Sequence, residues 1–403
     1  MMRKKQRLLT ILALTAVSIL WTGCGETAVK IGAVIPLTGE NDTYGLAVKN
    51  GIELAYEEIL ADAELTPKIE VTIQDSTSDP GKAQELLEQS YSDGALIALG
   101  GVTSGEAKEM IAVADRYERI LISPSASSPE LTGLSRNFYR IFPSDFAAAN
   151  KMAQFVSQDL KIDEVVVVAE EKDYAKGIQG AFDTAFGNLG GKVAEVIEFP
   201  PNTSEFSGLI ERVMTLAPKA VYLAAYGADI GSMVQELRKA NFKGYILTTS
   251  AFASPQFIVP VGEAAAGVIL TQSVFELDSD HAHVKTFVEK YQAKYGEAPD
   301  IYAAHGYDAM KVAAAATTGR AALASEVTKG LRDVKDYPGV TGSISFNEKG
   351  DVLKYPRLYI ISRELVLQDY NERVRQQQEE IRRRREELRK KLDALNQQAE
   401  TIG

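Results

Sequence analysis

From residue 28 onward, short apolar runs alternate with longer stretches whose apolar positions return every three or four residues. "VKIGAVI" (29–35) is continuously apolar apart from Lys30 and reads as a buried strand. "YGLAVKNGIELAYEEIL" (44–60) puts Ala47, Ile52, Ala55 and Ile59 near one face of a helix. The alternation continues as strand 69–75, helix 81–92, strand 95–99, helix 104–117 and strand 119–123. Such a βαβαβ order predicts a parallel sheet with helices on both faces. A second run starts after "FPSD" (142–145). It reads strand 164–170, helix 174–189, strand 192–199, helix 205–217, strand 219–225, helix 229–241 and strand 244–248, then "GVILTQ" (267–272). Two α/β lobes of similar size are therefore expected. Helices at 283–295, 302–318 and 323–332 and strands at 342–346 and 357–361 follow. They are too few for a core of their own and are expected to complete the two lobes.

Both ends break this pattern. Residues 1–7 carry Arg3, Lys4, Lys5 and Arg7, and residues 8–21 are apolar without a charge. That run is short for a bilayer and fits the core of a signal peptide, placed here at 1–23. Cys24 follows Gly23 and is the single cysteine, so no disulfide can form within the chain. The segment resembles a bacterial lipobox, with Trp21 where leucine is usual. The resemblance implies that the Cys24 thiol is diacylated and anchors the mature chain to a membrane; plain secretion is the competing reading. At the other end, residues 368–399 have no aromatic after Tyr370, and Val374, Ile381, Leu388 and Leu395 fall seven apart. Glu379–Arg383, Glu380–Arg384, Glu386–Lys390 and Glu387–Lys391 are i,i+4 pairs in the favoured order. The pattern predicts a charged helix of roughly 45 Å with a one-residue-wide apolar stripe. It is either a solvated spacer or a contact for a protein partner.

Composition narrows the function. With 403 residues the chain has room for two or more domains, and a net charge of -11 argues against nucleic acid as a partner. No glycine-rich phosphate loop follows a strand, and no nucleophile elbow or acid–base constellation is present, so neither a cofactor nor an enzymatic activity is expected. The two histidines of "HAH" (281–283) do not share a helix face and have no third ligand near, so no metal site is expected.

The candidate chemistry lies in two turns. "LISPSASSPELTG" (121–133) turns from strand into four serines and two prolines, and "LGGVTSGEAKEM" (99–110) brings Thr103 and Ser104 to a helix start. Both follow strands of the first lobe, at the carboxyl edge where open α/β sheets bind ligands. Ser104 reads as the N-cap of its helix. Helix-start N–H groups beside hydroxyls form an anion site that needs no cationic side chain.

The chain resembles the branched-chain amino-acid-binding proteins, the type I periplasmic binding proteins of bacterial ABC importers. The resemblance runs through "VKIGAVIPLTGENDTYGLAVKNGIELA", "QDSTSDPGKAQELL", "GGVTSGEA", "ISPSASSPELT" and "YRIFPSD" in the first lobe, and "DYAKGIQGAF", "AVYLAAYG" and "ASPQF" in the second. Near the end it continues in "IYAAHGYDAM" and "VTGSISFNEKGD", so it covers about 28–362. It implies two doubly wound α/β lobes joined by a three-crossover hinge. The lobes would be 28–143 with 275–338 and 144–274 with 339–367, followed by a helical extension, 368–403. It further implies that the turns at Ser104 and at Ser125 and Ser127 hold a ligand carboxylate. Tyr44, Tyr174 and Tyr226 would wall the ligand, the last two only after closure. One position departs from the family: in "LTTSAFASP", Ser250 stands where an acid often binds the ligand's ammonium, and Phe252 replaces a tryptophan. Asp308, Asp229 and Glu171 are the alternative anions; otherwise the ligand carries no ammonium. The function implied is a membrane-tethered, extracytoplasmic solute-binding protein. It would deliver a small carboxylate-bearing ligand (an amino acid, amide or organic acid) to the permease subunits of an ABC importer by lobe closure. A sensor presenting closure to a signalling partner is the competing reading.

Overall fold

The computed structural model describes residues 28–62, 64 and 66–402; the expected signal segment, Cys24 and the Leu395 side chain lie outside the described residues. In the first lobe, β1 (Val29–Ile35), α1 (Asp42–Ala61), β2 (Ile69–Asp75), α2 (Pro80–Ser92), β3 (Ile97–Gly100), α3 (Ser104–Tyr117) and β4 (Ile120–Ser123) follow the alternation read from the sequence. A fifth strand, β5 (Phe138–Arg140), was not anticipated, since three residues are too few to show a period. The sheet order is β2-β1-β3-β4-β5, every pair parallel, with Val29 opposite Ile69 and Ile31 opposite Ile97.

The second lobe opens with α4 (Asp145–Gln154), also not anticipated. Then come β6 (Glu164–Glu170), α5 (Asp173–Asn188), β7 (Lys192–Phe199), α6 (Ser207–Leu216), β8 (Ala220–Ala224), α7 (Gly227–Lys239), β9 (Tyr245–Thr248), α8 (Pro255–Val261) and β10 (Ile269–Gln272). The chain returns to the first lobe as α9 (Ala282–Tyr295), α10 (Ile301–Thr317), α11 (Ala324–Asp333) and a hairpin of β11 (Tyr337–Gly339) and β12 (Gly342–Ile344). It then adds β13 (Arg357–Ile361) and β14 (Leu367–Asp369) to the second sheet before α12 (Tyr370–Ile402). That sheet runs β14-β13-β10-β9-β8-β6-β7, with β13 and β14 antiparallel. Helix α10 is buried along most of its length and crosses α1 backbone to backbone. A Cβ on Gly51 would stand 2.0 Å from the Ala303 carbonyl oxygen, and one on Gly306 2.4 Å from that of Val48. Only glycine permits this approach.

The last crossover departs from the sequence reading. Val340, Ile344 and Val352 lie in the apolar core of the first lobe, not the second. The Asp308 carboxylate on α10 holds this stretch by accepting the N–H groups of Val340 (2.8 Å) and Thr341 (2.9 Å). The chain therefore passes between lobes after Val352, and residues 342–344 pair within a hairpin instead of a large sheet. Likewise the extension does not begin free at 368. Leu367 and Asp369 pair with Ile361 and Tyr359. Asp369 then caps α12 by accepting N–H groups from Asn371 (2.9 Å) and Glu372 (3.1 Å). The Tyr370 ring packs on Phe155, centroids 4.8 Å apart. From Arg375 to Leu392 α12 is exposed. Among the described residues no helix is long and apolar enough to cross a membrane.

Candidate binding site between the lobes

The carboxyl ends of β1, β3 and β4 in one lobe face those of β6, β8 and β9 in the other. In each sheet the strand order reverses here, β1 against β3 and β6 against β8, which opens a crevice between the following loops. Helix α3 starts in this crevice with a capping box. Thr103 accepts the Glu106 N–H, and the buried Glu106 carboxylate accepts the Thr103 N–H at 3.1 Å. Thr103, not Ser104, is thus the N-cap, and Ser104 occupies the first helical position. N–H groups in that first turn have no partner within the helix. Ser76 donates to Glu106 as well (2.5 Å), and burial still pushes the Glu106 carboxyl upward.

The serine-rich turn is tied down residue by residue. Ser123 donates to the Gly101 carbonyl (2.7 Å) and accepts the Ala126 N–H (2.9 Å). Ser125 donates to the Val102 carbonyl (2.7 Å), Ser127 to Asp145 (2.6 Å), and the Ser128 N–H reaches Ser104 Oγ (3.2 Å). Under the turn, Arg140 is fully buried. It pairs with Asp351 (2.6 Å) and donates to the Ser128 carbonyl (2.9 Å) and to Thr132 (2.6 Å). The hydroxyls thus fix the turn against α3 and β3 as well as lining the crevice.

Six of the seven residues anticipated from the sequence line one cavity: Tyr44, Ser104, Ser125, Ser127, Tyr174 and Tyr226, joined by Val102, Thr103, Ala251 and Tyr302. Ser250 does not line it; its carbonyl accepts from the Tyr302 hydroxyl (2.9 Å), and Ala251 faces the cavity instead. The four tyrosines interlock. Tyr174 stacks on Tyr226 at 5.0 Å, and Tyr44 meets Tyr302 edge-on at 4.8 Å. The space left between them is about 20 Å³, room for about one water. The lobes are in contact here. Tyr44 Oη donates to the Ala251 carbonyl (2.9 Å) and accepts the Gly227 N–H (2.7 Å). Ser254 donates to Asp300 (2.8 Å), and Lys172 and Lys108 reach across to Glu40 (2.6 Å) and Asp173 (2.8 Å). A ligand larger than a water fits only if these rings and the hinge move.

No residue lining the cavity carries a formal charge. The carboxylates stand behind it. Asp145, under Ser127, is pushed up to about 6 by burial, against the pull of the Ser127 hydrogen bond and Arg140. Asp229, half-buried, is likewise raised to about 6 by burial and by its neighbour Glu170. Glu170 is buried and paired with Lys172 at 2.7 Å. Glu171 lines a separate outer groove with Lys172 and Glu40. Asp308 is sealed in the first lobe beside Lys354, whose ammonium burial pulls down to about 8. Of the three substitutes suggested by the sequence, Asp308 and Glu171 are thus away from the cavity and Asp229 lies one layer behind it. Sequence reasoning missed Tyr302 and Asp145. Tyr302 could have been found from Asp300, which caps α10 and orients its first turn toward the crevice. Asp145 gave no signal beyond its place at the first crossover. His281 and His283 stand at the start of α9, and His283 contacts the Gly339 carbonyl at 3.2 Å.

Residues 28–356 match the periplasmic binding protein family. The chain belongs to that family. The Leu/Ile/Val-binding protein BraC3 of Rhizobium johnstonii is 27% identical over 350 residues, covering 85% of this chain and 94% of that protein. The crystal structure of the leucine-binding protein LivK from Thermotoga maritima has the same fold, with a TM-score of 0.79 at 26% identity, covering 85% of this chain and 97% of that one. LivJ, the branched-chain amino acid transporter substrate-binding protein from Streptococcus pneumoniae in complex with isoleucine, gives 0.77 at 26%, covering 83% and 96%. This periplasmic binding protein is therefore a type I, two-lobed solute-binding protein, and its relatives serve transporters and are not enzymes. Helix α12 lies wholly beyond the matched span.

Proposed function

We propose that this protein captures a small carboxylate-bearing solute between its lobes and delivers it to an ABC importer, held at the membrane by lipid on Cys24. The observation that carries the proposal is the convergence of Ser104, Ser125, Ser127, Tyr44, Tyr174 and Tyr226 on one interlobe cavity. They come from elements far apart in sequence and from both lobes. The turns supply N–H groups and hydroxyls for the carboxylate, and the tyrosines supply an apolar wall for the remainder. The names of the relatives point to leucine, isoleucine and valine as first ligands to try. The uncharged lining favours a ligand whose amine is absent or masked, since a buried ammonium without an anion costs several kcal/mol. A thermal-shift screen across branched-chain amino acids, their amides, and aliphatic and aromatic carboxylates tests the proposal. A ligand at 100 times its dissociation constant adds ~2.7 kcal/mol to unfolding. Absence of a shift with every carboxylate would contradict it. Sensing is the second reading, favoured by one observation: α12 is an exposed arm outside the span shared with the family. A chain truncated before α12 that still supports uptake would remove that support.

A further inference from the structure

A second and larger concavity lies away from the interlobe cavity and shares no lining residue with it. It is a groove of about 790 Å³ beside the hinge, between α8, the crossover after β10, β13, β14 and the root of α12 in the second lobe and the start of α10 in the first. Its rim is acidic, with six carboxylates, Asp278, Glu364 and Glu372 among them, against Arg357 and Arg373, while a seventh, Asp300, is buried in the wall. Its surface is also apolar. Val259, Leu277 and Val366 line it and are each about half exposed (57%, 48% and 52%). At its floor stands Gln272, which is 6% exposed and whose Oε1 has no hydrogen-bond partner. An amide oxygen in that position accepts an N–H donor. Taken together, the groove suits a partner that is cationic, rich in N–H groups and striped with apolar side chains.

The chain carries a segment of that chemistry. Residues 381–391 of α12 hold seven basic side chains against Glu386 and Glu387. Ile381, Leu388 and Leu392 follow one face of the helix and are 51%, 65% and 58% exposed. Arg384 and Arg385 flank that stripe, and arginine presents five N–H donors in a fixed fork. The segment cannot reach the groove of its own molecule. Glu372, Arg373 and Gln376 of the same helix already form one wall, and the helix then carries Arg384 roughly 12 Å beyond Gln376 at 1.5 Å per residue. We propose that the groove receives the basic stretch of α12 from a second copy of this chain. Because each copy has both parts, the exchange closes as a two-fold dimer with antiparallel arms. The same arrangement explains why an amphipathic helix with a single apolar stripe is rooted beside an acidic groove.

The test is sedimentation velocity on the full mature chain over a range of concentrations, at low and high salt. A monomer–dimer equilibrium that weakens with salt is expected, because rim charges are screened. Arg384→Glu with Arg385→Glu should weaken dimerisation about tenfold or more, ~1.4 kcal/mol. Asp278→Lys with Glu364→Lys should do the same. These four side chains are exposed, so the fold should be retained. Mixing the two variants restores both charge matches and should restore the dimer, while each variant alone associates about tenfold or more weakly. A wild-type chain that remains monomeric at every concentration overturns the proposal. So does a dimer indifferent to the groove substitutions, which would mean that the arms pair with each other. So does a mixture that fails to associate.

Discussion

Ser127 has one hydroxyl hydrogen, and it points at Asp145. With Asp145 ionised, Ser127 offers a ligand carboxylate only lone pairs. With Asp145 protonated, the acid can donate to Ser127 Oγ and release the serine hydrogen toward the ligand. The groups facing Asp145 are the buried Arg140, which favours ionisation, and the phenols of Tyr174, Tyr222 and Tyr302, which burial keeps neutral. A pKa of about 6 therefore predicts that binding a carboxylate takes up a proton, and that affinity rises as pH falls through about 6. Asp145→Asn keeps a donor for Ser127 and cannot titrate, so its affinity should be flat over that range. Calorimetry showing the same slope in both proteins would refute this. The stability sign follows from the same raised pKa. The Asp145 contribution is present in full below the ordinary carboxylate range and is lost as pH rises through about 6. Asp145→Asn should thus stabilise the protein at neutral pH and do little in acid. Arg140 is a sharper case. Replacing it with alanine strands Asp351 and the Ser128 carbonyl, and removing one partner of a buried pair costs ~3–5 kcal/mol. Denaturant unfolding should show that loss; a midpoint near wild type would mean that water substitutes for the guanidinium. At this scale the serines were legible because they follow apolar strands, and three of the four tyrosines through the resemblance to the family. Asp145 was not, because its meaning depends on a contact across 18 residues of sequence.

Helix α5 of the second lobe meets the serine-rich turn of the first at Gly177. A Cβ there would stand 2.3 Å from Ser128 Oγ and 3.2 Å from Pro129 Cδ. When the lobes separate, the same Cβ meets solvent, and alanine is a better helix former than glycine by roughly 1 kcal/mol. Gly177→Ala should therefore leave unfolding stability equal or slightly higher while weakening ligand binding by about tenfold or more, ~1.4 kcal/mol. Equal affinity in the two proteins would show that the turn yields easily. Most elements were legible in the sequence. The missed ones share a cause: they bury small or few residues. Helix α4 packs Ala148, Ala149 and Ala153 around Met152, a weak period against the polar residues between them. Strand β5 contributes three residues at the sheet edge, and β14 another three. The hairpin of β11 and β12 is held to the first lobe by Asp308, a long-range contact that no local pattern announces.

Across the whole molecule, two cores are bridged by three crossovers and by polar contacts over the cleft. The ion pairs Lys172–Glu40 and Lys108–Asp173 are partly exposed, and such pairs contribute about 0–1 kcal/mol each. Closure therefore depends on what the tyrosines and the turns hold between them. A ligand shifts the lobes only through contacts that differ between open and closed forms, and Tyr174 and Tyr226 supply these from the second lobe. The two-lobed architecture was legible because strand–helix alternation repeats twice; the closeness of the lobes and the groove beside α12 were not, since both depend on how distant segments meet. The central claim is that the cleft recognises a carboxylate through its serine turns. Titration calorimetry of the best ligand from the screen, beside the same compound with its carboxylate converted to a methyl ester, tests it most directly. Hydrogen bonds to a charged group contribute roughly 1.5–3 kcal/mol. The account predicts at least a tenfold loss for the ester in the wild-type protein, and a smaller difference in Ser104→Ala, since Ser104 Oγ accepts the Ser128 N–H and keeps its own hydrogen for the ligand. Equal binding of acid and ester to the wild type would contradict it.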